Sequence, residues 1–129
     1  MRASLLLMDD DEALRDLMAE TLSQDFEVTA TPAVEEFLRL LERQHFDAVL
    51  CDQNLAEGMK GTAVLKSARE RGLLEGTACL LLTGMPSNLG EPWLTVLRKP
   101  LDVPELVEAI LRAIQPRAAG GGVRYLPGA

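Results

Sequence analysis

The chain has 129 residues, 47% of them hydrophobic and 26% charged, which suits one globular domain with a sizeable core and excludes a disordered chain. No apolar run is long enough to span a bilayer. The formal net charge of −7 argues against a nucleic-acid-binding surface, which needs a basic stripe, and it suits a protein that holds a divalent cation.

Short apolar runs and helical stripes alternate along the chain. The runs predict strands at residues 4–8, 26–30, 48–51, 78–82 and 94–97. Apolar residues at helical spacing predict helices at residues 12–24, 32–44 and 62–71, and a last helix that follows a capping box at Asp102 and Glu105 and ends near Ile114. This alternation predicts right-handed βαβ units and a parallel sheet covered by helices on both faces.

Local signals mark the limits of two helices. Thr31 is predicted to cap the second helix, with Pro32 as its first residue, because that position needs no amide donor. Gly72 is predicted to end the third helix in the left-handed conformation.

The connection between the fourth and fifth strands is short. Only ten residues, 84–93, separate the two strands, and they include two glycines and two prolines. A parallel crossover with a helix usually needs a dozen or more residues, so we predict a loop, or at most one turn, in place of a fourth helix. Residues 1–115 are predicted to form one domain, and residues 116–129 a flexible tail or linker.

Reactive side chains stand where four of the predicted strands end. Asp9 and Asp10 follow the first strand, Asp52 the third, Thr83 the fourth and Lys99 the fifth. The carboxyl ends of parallel strands meet at one edge of the sheet, so these groups are expected to converge there. Three carboxylates drawn together repel unless a cation lies between them, and hard oxygen ligands select Mg²⁺ or Mn²⁺. The set predicts a phosphoryl site with Asp52 as nucleophile.

Taken singly, each of these features has an ordinary structural explanation. An acidic run at a helix start favours the helix dipole, and an Asp at a strand end caps the following turn. Lys99 alone would be a solvated charge, and Thr83-Gly84 a turn. Their conjunction at one predicted edge favours the functional interpretation.

These motifs resemble the receiver domain of two-component response regulators. The resemblance covers roughly residues 4–114 and rests on four stretches: residues 5–10, Asp52 after its apolar strand, Leu82-Thr83-Gly84, and Arg98-Lys99-Pro100-Leu101. It implies a three-layer α/β sandwich of the flavodoxin-like kind, with a five-stranded parallel sheet in the order 2-1-3-4-5. It also implies that a partner histidine kinase or histidine phosphotransfer protein donates a phosphoryl group to Asp52.

The resemblance also implies a cofactor. By the family's pattern, Asp10 and Asp52 bind Mg²⁺ directly, Asp9 acts mainly through water, and Asn54 offers its backbone carbonyl. The protein would then be a phosphoacceptor rather than an enzyme, limited to self-catalysed transfer and slow autodephosphorylation. A homodimer is left open.

By the same pattern, Thr83 and Lys99 hold the phosphoryl group, and the Lys99–Pro100 bond is cis. The chain supplies no phosphoryl donor of its own, because it lacks a glycine-rich phosphate loop and its single histidine, His45, is predicted to be solvent-exposed. The donor must be a partner or a small phosphodonor.

Four features depart from the family's pattern. Ala56 stands where a proline is usual, and the loop from Asp52 to Gly61 is one residue longer. Val96 stands at the position of the switch aromatic, and the fourth crossover is short. These departures favour an alternative, a pseudo-receiver that serves as a phosphorylation-independent interaction module. A Mg²⁺ phosphohydrolase ranks last, because such enzymes place the nucleophile after the first strand and need a substrate cap.

Cysteine usage and the N-terminus indicate the compartment. Cys51 and Cys79 lie in strand-like runs and are predicted to be small buried hydrophobic residues in a reducing compartment, rather than redox or metal-binding groups. No signal peptide is recognisable at the start of the sequence, so we expect a cytoplasmic protein.

Overall fold

Five parallel strands form one sheet in the computed structural model, which describes residues 2–85 and 90–118. The strands are β1 (Ala3–Met8), β2 (Phe26–Thr31), β3 (Ala48–Asp52), β4 (Ala78–Thr83) and β5 (Leu94–Arg98). They are ordered β2-β1-β3-β4-β5, as predicted. Every pair is parallel, so all five strands end at the same edge.

Within the described residues, four α-helices cover the two faces of the sheet: α1 (Glu12–Leu22), α2 (Val34–Arg43), α3 (Gly61–Glu70) and α4 (Val103–Ala118). One buried cluster joins Phe37 of α2 and Leu65 of α3 to the sheet. A second cluster joins Leu22 of α1 and Ile110 of α4 to the opposite face. β3 and β4 lie between both layers and are buried along their whole length, which explains their unbroken apolar runs. The predicted three-layer sandwich is confirmed.

The start of α2 differs from the prediction. Thr31 is the last residue of β2, and the N-cap of α2 is Ala33, which makes no side-chain cap. The Thr31 hydroxyl instead accepts a hydrogen bond from the Ala33 amide at 3.2 Å and donates to the Glu36 carboxylate. Because this hydroxyl closes the turn before the helix, Pro32 lies outside α2. The predicted N-cap and first residue of α2 were therefore wrong by two residues.

Two predicted helix signals are confirmed, the left-handed Gly72 after α3 and the capping box at the start of α4. Gly72 adopts φ +77, and the Gly72 and Leu73 amides donate to the Arg69 and Ala68 carbonyls, which satisfies acceptors that the end of α3 would otherwise leave open. Asp102 and Glu105 form a reciprocal capping box.

α4 runs to Ala118, beyond the predicted end near Ile114. Ala113 and Ile114 still pack against the sheet, and losing one amide donor at Pro116 does not end the helix there. The predicted tail therefore begins inside α4, and its remaining residues, 119–129, lie outside the described part.

The fourth crossover is described at residues 84–85 and 90–93, and neither stretch is helical. The predicted loop also covers residues 86–89, which lie outside the described part. Cys51 and Cys79 are buried and are not joined in a disulfide, as expected. Among residues 2–85 and 90–118, no helix combines the length and apolar character needed to cross a membrane.

Candidate functional site

The strand register brings the predicted site residues to one edge of the sheet. Asp52 ends β3 and pairs with Leu82, one residue before Thr83 at the end of β4. Asp9 follows β1, and Lys99 follows β5 directly. The Lys99 amide donates to the Thr83 carbonyl at 2.8 Å, which extends the β4–β5 ladder by one bond.

The Asp52 carboxylate is buried, and each of its two oxygens accepts one hydrogen bond. The residue is 7% exposed. Its Oδ1 accepts from the Lys99 ammonium at 2.5 Å, and its Oδ2 accepts from the Asn54 amide at 3.2 Å. The Gln53 amide donates to the Leu82 carbonyl at 2.9 Å, so the backbone beside Asp52 is tied to β4. A carboxylate held by one ammonium and one amide is fixed in position yet still has lone pairs for a ligand.

Three carboxylates form a cluster that could hold a metal ion. Asp9, Asp10 and Asp52 each offer one oxygen, and these oxygens lie within 4.8 Å of one another. Asp9 and Asp52 are buried, whereas Asp10 is exposed. An all-oxygen set of this size, open to solvent at one member, fits Mg²⁺ with water completing its shell.

The pKa of Asp9 depends on its burial and on neighbouring groups that act in opposite directions. Desolvation raises the pKa of Asp9, and repulsion from Asp52 and Asp10 adds to the rise. A hydrogen bond from the Asp11 amide and attraction to Lys99 oppose it without cancelling it. Extra positive charge at this point would relieve the repulsion.

The neighbouring acid, Asp11, does a different job. Its side chain accepts from the Leu14 amide at 3.1 Å and so caps α1. The run of three aspartates after β1 therefore divides between the cluster and the helix cap.

The other predicted site residues lie in β4 and β5 or directly after β5. Thr83 is buried, and its hydroxyl accepts from the Met85 amide at 3.1 Å, which leaves the hydroxyl proton for another acceptor. The Lys99–Pro100 bond is cis, as the resemblance implies. Val96 lies in β5, half-buried against the α2–α3 core. Trp93 packs against the same core, with the Arg69 guanidinium 5.1 Å from its ring centre.

Lys60, in the loop after Asp52, contacts Asn54, and the sequence alone did not single it out. Glu57 and Gly58 both adopt positive φ and turn the chain back, so that Asn54 and Lys60 pair as an antiparallel bridge. The Lys60 ammonium donates to Asn54 Oδ1 at 2.9 Å. No periodicity signals this contact, because it depends on two consecutive left-handed residues in the lengthened loop.

Gly61 closes that loop against β3. A Cβ at this position would lie 2.4 Å from the Asp52 carbonyl oxygen, and the Gly61 amide donates to the Gln53 carbonyl at 2.8 Å. Only glycine permits the start of α3 to approach the strand this closely.

Comparison with known proteins gives a consistent picture. The sequence model of the response regulator receiver domain matches residues 5–111. The hydrogenase transcriptional regulatory protein HoxA of Cupriavidus necator is 36% identical over 70 residues, which is 54% of this chain and 14% of that protein. HoxA of Bradyrhizobium diazoefficiens is 26% identical over 122 residues, 89% of this chain and 24% of that protein. The chain thus spans less than a quarter of the length of these curated relatives.

A solved structure agrees with the fold. The response regulator receiver domain protein (CheY-like) from Methanospirillum hungatei JF-1 superposes with a TM-score of 0.77 at 25% identity, covering 94% of this chain and all of that one. Since the family match covers most of the chain and the sheet order, acid cluster and Lys99 position agree with it, this chain belongs to the response regulator receiver domain family.

Proposed function

We propose that Asp52 is the phosphoacceptor of this receiver domain and that the phosphorylated state carries its signal. The observation that supports this most directly is the pairing of the buried Asp52 carboxylate with the Lys99 ammonium beside two further acids. An aspartate that only capped a turn at a strand end would need neither the two further acids nor the lysine.

In the proposed reaction an Asp52 oxygen attacks the phosphorus of a phosphohistidine or small phosphodonor. The new bond is a carboxyl–phosphate bond, and the donor's bond to phosphorus breaks with its electron pair leaving on the donor. Lys99 has a flexible side chain that is 37% exposed, so it can follow the charge from the carboxylate to a phosphoryl oxygen. The Thr83 hydroxyl accepts from the Met85 amide and can donate its own proton to another phosphoryl oxygen.

The acid cluster suits Mg²⁺, with Asp10 and Asp52 as direct ligands, Asp9 acting mainly through water, and the Asn54 carbonyl completing the protein's share. Bound there, the ion would neutralise charge on the phosphoryl oxygens. The fold holds one carboxylate oxygen of each acid within 4.8 Å of the others, and a bound cation would relieve the repulsion between them.

The proposed partner is a histidine kinase or a histidine phosphotransfer protein, since no donor is encoded in this sequence. The curated relatives are named as transcriptional regulators, so an output of that kind is proposed for a longer assembly that includes this domain. A cytoplasmic location, a single domain over residues 1–115 and an open possibility of homodimers stay as predictions from the sequence.

The alternative of a pseudo-receiver is less well supported. Ala56 and Val96 depart from the family's pattern, but both lie outside the acid–lysine arrangement, which is complete. Loss of the usual switch would change the readout rather than the acceptor.

Intact mass spectrometry tests the proposal. Wild-type protein incubated with acetyl phosphate and Mg²⁺ should gain the mass of one phosphoryl group, and Asp52→Ala should gain none. Asp47→Ala is the matched control, because Asp47 is a partly exposed aspartate that bonds Ser4 at the other end of β3. Wild-type protein that gains no mass would leave the pseudo-receiver as the better reading.

A further inference from the structure

We propose that Lys60 sets the lifetime of the phosphorylated state by occupying the side-chain oxygen of Asn54. This inference rests on the proposed function, because it concerns hydrolysis of the phosphoryl group on Asp52. It assigns a positioning role to a residue outside the acid cluster.

The loop geometry places Lys60 opposite Asn54. Leu55 is buried and its amide donates to the Met59 carbonyl at 2.9 Å, which closes the turn over the short 3₁₀ segment Ala56–Gly58. The next pair outward is the Asn54–Lys60 bridge, and facing side chains in such a pair start about 5 Å apart. The backbone bridge therefore brings the two side chains close enough for the 2.9 Å contact between the Lys60 ammonium and Asn54 Oδ1.

Asn54 lies next to the acceptor. Its amide donates to Asp52 Oδ2 at 3.2 Å, so its side chain begins beside the carboxylate that would carry the phosphoryl group. The residue is exposed, and water reaches it. A carboxamide beside a phosphoryl group can act on water in two ways: its oxygen accepts a hydrogen bond from water, and its nitrogen only donates.

Hydrolysis of the phosphoryl group is favoured by a side-chain oxygen that accepts a hydrogen bond from the attacking water. Water attacks phosphorus, the carboxyl–phosphate bond breaks, its electron pair returns to Asp52 as carboxylate, and both water protons leave on dihydrogen phosphate. An acceptor that orients the water and draws on its proton favours this step. Lys60 takes one of the two lone pairs of Asn54 Oδ1, and its positive charge makes the oxygen a weaker acceptor for water. The attacking water is then less well oriented, and the phosphorylated state lasts longer.

The experiment compares dephosphorylation rates. Wild-type protein and Lys60→Met are phosphorylated with acetyl phosphate and Mg²⁺, freed of phosphodonor, and followed by intact mass. Lys60→Met should lose its phosphoryl group about fivefold faster, which corresponds to about 1 kcal/mol at 1.36 kcal/mol per tenfold. Lys60→Arg, which keeps a donor at this position, should have the same lifetime as wild type. Lys60 is exposed, and equal melting temperatures would show that the variants fold alike.

A double-mutant cycle separates this role from a simple charge effect. In an Asn54→Ala background, Lys60→Met should leave the lifetime unchanged, because the oxygen it releases is gone. An equal effect of Lys60→Met with and without Asn54, a longer lifetime, or no change would each overturn the inference. These outcomes require that wild type is phosphorylated, so they are distinct from failure of the proposed function, in which no phosphoryl group is gained at all.

Discussion

A methyl group added at Gly61 should destabilise the protein through a collision that cannot be relieved cheaply. The Cβ of Gly61→Ala would lie 2.4 Å from the Asp52 carbonyl oxygen, 2.9 Å from Leu81 Cδ1 and 3.0 Å from Cys51 Sγ. The first distance is nearly 1 Å shorter than a close C···O approach of about 3.3 Å. Two of the three atoms belong to the fully buried strand β3, so the start of α3 must move instead.

The size of the effect follows from two opposing contributions. Overpacking of this severity costs about 3 kcal/mol, the upper part of its usual range. Alanine in place of glycine at a helix start offsets this by up to about 1 kcal/mol. The net loss is about 2 kcal/mol, which lowers the melting temperature of a domain of this size by roughly 6 °C.

Thermal unfolding followed by circular dichroism measures this loss. Gly84→Ala is the matched control, since a Cβ there meets no atom of residues 2–85 and 90–118 within 4 Å and the φ angle is not positive. The control should change the free energy of unfolding by no more than about 0.5 kcal/mol. Gly61→Ala protein as stable as wild type would refute the close approach of α3 to β3.

Two predictions concern the acid cluster without and with its cation. Burial raises the pKa of Asp9, so the folded protein holds that proton to higher pH than the unfolded chain does, and stability falls as the pH rises through the folded pKa. In magnesium-free buffer, Asp9→Asn should therefore raise the melting temperature at pH 7, with the advantage disappearing below the ordinary carboxyl pKa of about 4; a lower melting temperature at pH 7 would contradict this. Asp10→Asn should weaken Mg²⁺ binding by at least about tenfold in calorimetric titration, because it removes one charged ligand of the cluster. Asp11→Asn keeps the α1 cap and should bind Mg²⁺ like wild type. An equal loss of Mg²⁺ affinity in both variants would contradict the assignment of Asp10 to the metal site.

The architecture and the edge of the site could be predicted because both depend on local patterns. Unbroken apolar runs at β3 and β4 identify strands buried on both faces. Parallel strands share an edge, so Asp52, Thr83 and Lys99 had to come together once the strands were placed. No contact had to be known in advance for that step.

The details that the sequence did not give depend on choices between competing local bonds. Thr31 has a side chain suited to a helix cap, but the extra turn before α2 takes its hydroxyl instead. Pro116 reads as a helix end, yet the packed face of α4 carries the helix past it. The Asn54–Lys60 contact requires positive φ at Glu57, a non-glycine residue, and no propensity predicts that.

The central claim, that Asp52 is the residue phosphorylated, is tested most directly by chemical trapping. Borohydride reduces an aspartyl phosphate to the alcohol homoserine, which marks the acceptor in a peptide map. After incubation with acetyl phosphate and Mg²⁺, reduced wild-type protein should carry homoserine at residue 52, within the tryptic peptide spanning residues 44–60. Homoserine at Asp9, Asp10 or Asp47, or at no position, would contradict the account.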